Sequence, residues 1–181
     1  METQNKVAMI NGGRRDMAVR VLALVLTLAA AVVVGVNKQS TTVPITIVAS
    51  LPPVYLPVTA KWLHMSAFVY FVIANVIACS YTAISLILTS LATKGGIKKV
   101  SIMVTILDLM VVALLFSAIG ASGAVGLIGY RGNSHVRWEK VCNTFDKFCH
   151  QVMAAMALSF VACLAYLLLV VLAIFNVYKK V

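Results

Sequence analysis

Four hydrophobic stretches, each long enough to cross a bilayer, take up most of this chain. A spanning helix needs about 20 apolar residues, because backbone polar groups in hydrocarbon must pair within the helix. The stretches lie at about 17–36, 64–91, 100–129 and 152–178. Of the 181 residues, 62% are hydrophobic and 11% are charged, where a soluble domain has about 25% charged. No length is left for a soluble catalytic domain. The predicted fold is one all-α membrane domain, residues 1–181, built as a four-transmembrane-helix bundle.

The net charge of +10 raises the question of nucleic acid. The bases form short clusters at span ends rather than one face or groove, so they read as anchors and topology signals. The expected partner is the lipid bilayer, with no nucleic acid. Arg14-Arg15 and the Ala29–Ala31 run resemble parts of a cleaved signal peptide. The apolar run is long for a signal core and a Thr-rich segment follows, so an uncleaved first span is expected.

Orientation follows from counting bases. With the N-terminus inside, the cytoplasmic segments 1–16, 92–99 and 179–181 hold Lys6, Arg14, Arg15, Lys94, Lys98, Lys99, Lys179 and Lys180. The outer loops, about 37–63 and 130–151, hold Lys38, Lys61, Arg131, Arg137, Lys140 and Lys147. Eight against six favours cytoplasmic termini, and the compact, acid-free Lys94–Lys99 loop is the best vote. Trp62, Tyr130 and Tyr178 fall near span ends, where aromatic belts sit.

In the first outer loop, Thr41–Val48 is β-branched apart from Pro44, which predicts a short β segment. Pro52, Pro53 and Pro57 exclude regular helix or central strand through Tyr55. The second outer loop carries Cys142 and Cys149, while Cys79 and Cys163 sit in spans and read as apolar filler. Two cysteines in one extracytoplasmic loop read as a disulfide. A continuous helix would hold their Cα atoms about 10.5 Å apart, beyond disulfide range, so a bridge requires a turn near 143–147. Free thiols, or a metal held with His135 and His150, are the alternatives, but no zinc-finger spacing is present.

Asp108 is the carboxylate deep in a span, and Arg20 is the base inside one. Helical rise puts Arg20 about 7.5 Å beyond Arg15 and Asp108 about 13.5 Å beyond Lys99. The difference is within the reach of an Arg side chain, so an intramembrane ion pair forms if spans one and three are neighbours. The alternatives are an Arg20 that snorkels to head groups and an Asp108 that relays protons in a transporter. Gly120, Gly123, Gly126 and Gly129 mark close helix packing on span three, either within one bundle or between copies. Glycine at this density also predicts an irregular outer end.

Catalytic signatures are missing. His64, His135 and His150 lie near the outer side, not deep in spans where haem ligands would be needed. There is no C-x-x-C and no Gly-Lys-Ser/Thr phosphate loop. No cofactor and no enzyme activity are expected. Thr27, Asn75, Ser85 and Thr105 are isolated polar points rather than a pore stripe. The leading reading is a self-assembling scaffold. The alternative is an oligomeric channel or transporter using Asp108.

Several segments together resemble the Casparian strip membrane domain protein family of plants, in its CASP-like branch. They are Arg20-Val-Leu-Ala-Leu-Val-Leu-Thr-Leu, Tyr70-Phe-Val-Ile-Ala-Asn, and Asp108-Leu-Met-Val-Val-Ala-Leu-Leu-Phe-Ser-Ala-Ile-Gly. The outer-loop motif adds Gly132, Asn133, Trp138, Cys142 and Phe145 through Cys149, including Phe148. The resemblance implies a MARVEL-like bundle with both termini cytoplasmic, and it maps the family's paired charges onto Arg20 and Asp108. It implies a plasma-membrane scaffold, homo- or hetero-oligomeric with relatives, that organises cell-wall-modifying partners. The acidic and aromatic stretch of the founding members is missing between Pro44 and Val58, which points to a CASP-like member rather than a founder.

Overall fold

A computed structural model describes the backbone of residues 2–45, 54–92, 98–132, 135 and 140–178, and side chains for 13–43, 55–89, 102–132, 135 and 140–175. Its long helices are α1 (Glu2–Gly35), α2 (Ser66–Ala92), α3 (Lys98–Arg131) and α5 (Asp146–Tyr178). A four-residue helix, α4 (Val141–Thr144), precedes α5. Each long helix contains a stretch apolar enough to cross a membrane, at Gly13–Gly35, Ser66–Thr89, Ile102–Arg131 and Asp146–Phe175. Their outward faces stay apolar. Leu22, Val25 and Leu28 on α1, and Leu109 and Met110 on α3, are all about half exposed or more. In hydrocarbon such a face is solvated by lipid, which is as apolar as leucine.

The first loop forms an antiparallel hairpin of β1 (Lys38–Ile45) and β2 (Val54–Lys61), followed by a 3₁₀ turn over Trp62–His64. The strand therefore begins earlier than its β-branched run suggests. Pro44 pairs with Tyr55 and Pro57 with Thr42. Both prolines are tolerated because a two-stranded sheet has only edges. Pro52 and Pro53 lie outside the described residues.

One expectation is corrected at the hairpin end. Helix α3 does not become irregular across its glycines but continues to Arg131. A glycine costs a helix about 1 kcal/mol relative to alanine, less than an unsatisfied backbone group costs in hydrocarbon. The helix stops at Gly132, whose φ of 72° suits a residue without Cβ and whose N–H bonds the Ile128 carbonyl at 2.8 Å. Helix α5 begins at Asp146 and so contains Cys149.

The helices form a square. Helix α1 packs on α2 and α5, and α3 packs on the same two. Spans one and three are thus diagonal, not neighbours. The tight inner contacts are made by alanines: Ala23, Ala30, Ala74, Ala78, Ala118, Ala155 and Ala162 are fully buried. The missing side-chain bulk lets backbones approach closely.

Candidate functional site

Arg20 and Asp108 reach each other across the bundle axis. Arg20 Nη1 donates to Asp108 Oδ1 at 3.1 Å, and Nη2 donates to Oδ2 at 2.8 Å. The pair is bidentate, the strong geometry for guanidinium and carboxylate. The two residues are 4% and 1% exposed, so water does not share in their solvation. Diagonal placement explains why the base is an arginine: a long side chain with a fixed planar fork can bridge helices whose backbones do not touch.

Helix α2 completes the shell. Tyr81 OH donates to Asp108 Oδ1 at 2.7 Å, and the Val104 carbonyl lies 3.0 Å from the same hydroxyl. Arg20 Nη1 also donates to Ser85 Oγ at 3.3 Å. Toward the helix start, Arg20 Nε donates to Asp16 Oδ2 at 3.1 Å, one turn away. The carboxylate thus accepts three side-chain hydrogen bonds, and the guanidinium donates four, to Asp16, Ser85 and Asp108.

The other diagonal is tied as well. Thr82 on α2 and Tyr166 on α5 share a hydrogen bond, and Tyr166 OH also donates to the Ala78 carbonyl at 3.2 Å. Ser159 on α5 donates to Asn75 Oδ1 at 2.9 Å, while Asn75 Nδ2 donates to the Phe71 carbonyl. Asn75 and Ser85 are therefore not isolated polar points. Each is a node in a cross-bundle tie. Thr27 bonds back to the Ala23 carbonyl at 2.9 Å, within its own helix. Among the described residues, no buried side-chain nitrogen or oxygen lacks a partner.

The hairpin end closes differently. The chain breaks at Phe145 (φ −122°, ψ 53°) between α4 and α5. The break brings Cys142 and Cys149 to a Cα separation of 5.7 Å, and they form a disulfide. Phe145 and Phe148 are buried, and the Phe148 ring lies 6.0 Å from Phe68. Asn37 Nδ2 donates to the Phe148 carbonyl at 3.1 Å, and the Phe148 N–H donates to Gln39 Oε1 at 2.8 Å. The second bond satisfies a donor in the first turn of α5, which has no partner within the helix. Asn133 and Trp138 lie outside the described residues. No group of His, Cys, Asp and Glu suited to a metal occurs among the described residues.

Sequence reasoning missed Asp16, Asn37, Gln39, Tyr81 and Tyr166. Tyr81 was the findable one, since a phenol four residues before Ser85 shares its helix face.

The Casparian strip membrane protein domain matches residues 12–165, which contain the cross-axis pair and both loop cysteines. The chain belongs to the Casparian strip membrane protein family. Its CASP-like relatives include CASP-like protein 1E2 of Vitis vinifera, 53% identical over 99% of this chain and 94% of that one. CASP-like protein 1E1 of Vitis vinifera is 53% identical over 93% and 84% of the two chains. CASP-like protein 1E1 of Arabidopsis thaliana is 49% identical over 90% and 86%. No solved structure matches the chain. The family's members are membrane proteins, and the four spans make this chain multi-pass.

Proposed function

We propose that this chain is a non-enzymatic plasma-membrane scaffold. It assembles laterally with copies of itself and with CASP-like relatives, keeps both termini in the cytoplasm, and organises cell-wall-modifying partners at its hairpin end. The observation that carries this reading is the closed interior. Asp108, the one deeply placed carboxylate, accepts from Arg20 and Tyr81, and among the described residues the buried polar side chains are engaged within the bundle. Their chemistry goes into holding four helices in register. Recognition is left to the lipid-facing sides and the hairpin. Gly120 is exposed on such a side, and a Cβ there would meet nothing within 4 Å, which suits close approach by another helix.

Single-molecule photobleaching of labelled protein in bilayers, at several protein-to-lipid ratios, tests the assembly. Multiple bleaching steps that survive high salt are expected, because buried contacts are screened far less than exposed charges. Gly120→Leu is expected to reduce the step number without unfolding the chain. Strictly single steps at every ratio reject the scaffold. Selective currents in planar bilayers, abolished by Asp108→Asn in a folded protein, move the reading to a channel or transporter. Labelling of a Gly96→Cys variant from the cytoplasmic side alone tests the orientation.

A further inference from the structure

At the hairpin end, α2, α3, α4 and α5 enclose a cavity of about 250 Å³. Its walls are almost wholly apolar and include Phe68, Phe148 and Met156. Leu127, Tyr130 and Met153 line it and are also 53%, 61% and 47% exposed, so it opens on the side of the bundle. Most of its wall belongs to the membrane-spanning stretches of α2, α3 and α5. What it meets is therefore hydrocarbon rather than water.

The space is not one the bundle needs for its own packing. A Cβ on Gly126 would meet nothing within 4 Å, and one on Gly123 would rest 3.7 Å from the flexible end of Met156. The outer rim adds charge. Arg131 and Lys140 directly follow and precede the wall residues Tyr130 and Val141, and both are exposed. Neither has an ion-pair partner among the described residues.

We propose that this cavity seats one acyl chain of an anionic phospholipid from the leaflet at the hairpin end, with its phosphate against Arg131 and Lys140. Size and charge select this occupant. An apolar cavity of about 150 Å³ suffices for a six-carbon ring, so this one takes about ten chain carbons by the same measure. A second copy's helix, about 10–12 Å across, is too wide to enter. A copy docking at this face in the same membrane orientation also brings its own Arg131 and Lys140 to the same level, where like charges repel. A lipid phosphate supplies the opposite charge at the right depth. This binding does not depend on whether the chain self-assembles.

Native mass spectrometry of the full chain, released from micelles containing dioleoyl-phosphatidylglycerol or dioleoyl-phosphatidylcholine, tests the site. The expected result is one retained phosphatidylglycerol, preferred at least fivefold over phosphatidylcholine. The Arg131→Gln, Lys140→Gln double variant is expected to bring that preference below twofold. Gly126→Leu and Met153→Trp fill the cavity from α3 and from α5, and each is expected to lower occupancy at least fivefold while the melting temperature shows a folded chain. If Gly126→Leu does not fold, Met153→Trp decides. A folded filling variant that keeps wild-type occupancy, or a wild-type chain without the head-group preference, overturns the proposal.

Discussion

The two ends of the bundle are held by different chemistry. Away from the hairpin, polar side chains tie both diagonals: Arg20 to Asp108, and Thr82 to Tyr166. At the hairpin end, closure comes from the Cys142–Cys149 disulfide, the Phe68–Phe148 contact and the Asn37 bond to the α5 backbone. The difference teaches where each kind of interaction is effective. Within hydrocarbon, apolar faces do not prefer one another over lipid, so a few polar ties choose which helix lies opposite which. Near the interface water competes, and exposed ion pairs are worth about 0–1 kcal/mol. The His150–Asp146 contact there, with both side chains well over half exposed, is weakened by water in the same way. A covalent bond and packed rings do not lose strength to water in the same way.

The largest effect is expected at the charged end. Arg20→Ala strands the Asp108 carboxylate and should cost about 3–5 kcal/mol of stability, measured by denaturant unfolding in mixed micelles. Replacing both partners, with Arg20→Met and Asp108→Leu, should recover most of that loss. If the double variant is as unstable as the single one, the pair does more than neutralise charge.

A smaller effect is expected at the hairpin end. Removing the disulfide with Cys142→Ser and Cys149→Ser should cost about 2–3 kcal/mol for so short a loop. Hydrogen exchange should rise in α4 and the first turns of α5 but not around Asp108. A rise at both ends would mean that they are one cooperative unit rather than two. Smallest is the loss of the third donor to Asp108. Tyr81→Phe should cost about 1.5–2 kcal/mol, as for a hydrogen bond to a charged group, and leave the hairpin end unchanged in hydrogen exchange.

The element types were legible because they follow from local pattern. Long apolar runs with bases at their ends read as spanning helices, and a β-branched run in the loop between two of them reads as a short β segment. Boundaries were less legible. Helix α5 starts before its apolar run, at Asp146, where Gln39 from a distant segment accepts from the Phe148 N–H and Asn37 donates to the Phe148 carbonyl. The glycines of α3 suggested an irregular outer end by propensity, but the membrane's demand for internal hydrogen bonds carries the helix through to Arg131.

Sequence alone determined that four helices cross the membrane, that Asp108 needs a partner, and that Arg20 lies within reach of it by depth. Depth is a one-dimensional quantity, counted at about 1.5 Å per residue along each helix. Which helices stand beside each other is a two-dimensional arrangement within the membrane plane, and no local pattern encodes it. Only the tertiary structure placed α1 and α3 on a diagonal, brought Tyr81 and Ser85 to the pair from α2, and joined Asn75 to Ser159 across the other diagonal. The reason is that lateral order depends on all four helices at once, through alanine faces that permit close approach and, among the described residues, buried polar groups that find their partners in this arrangement.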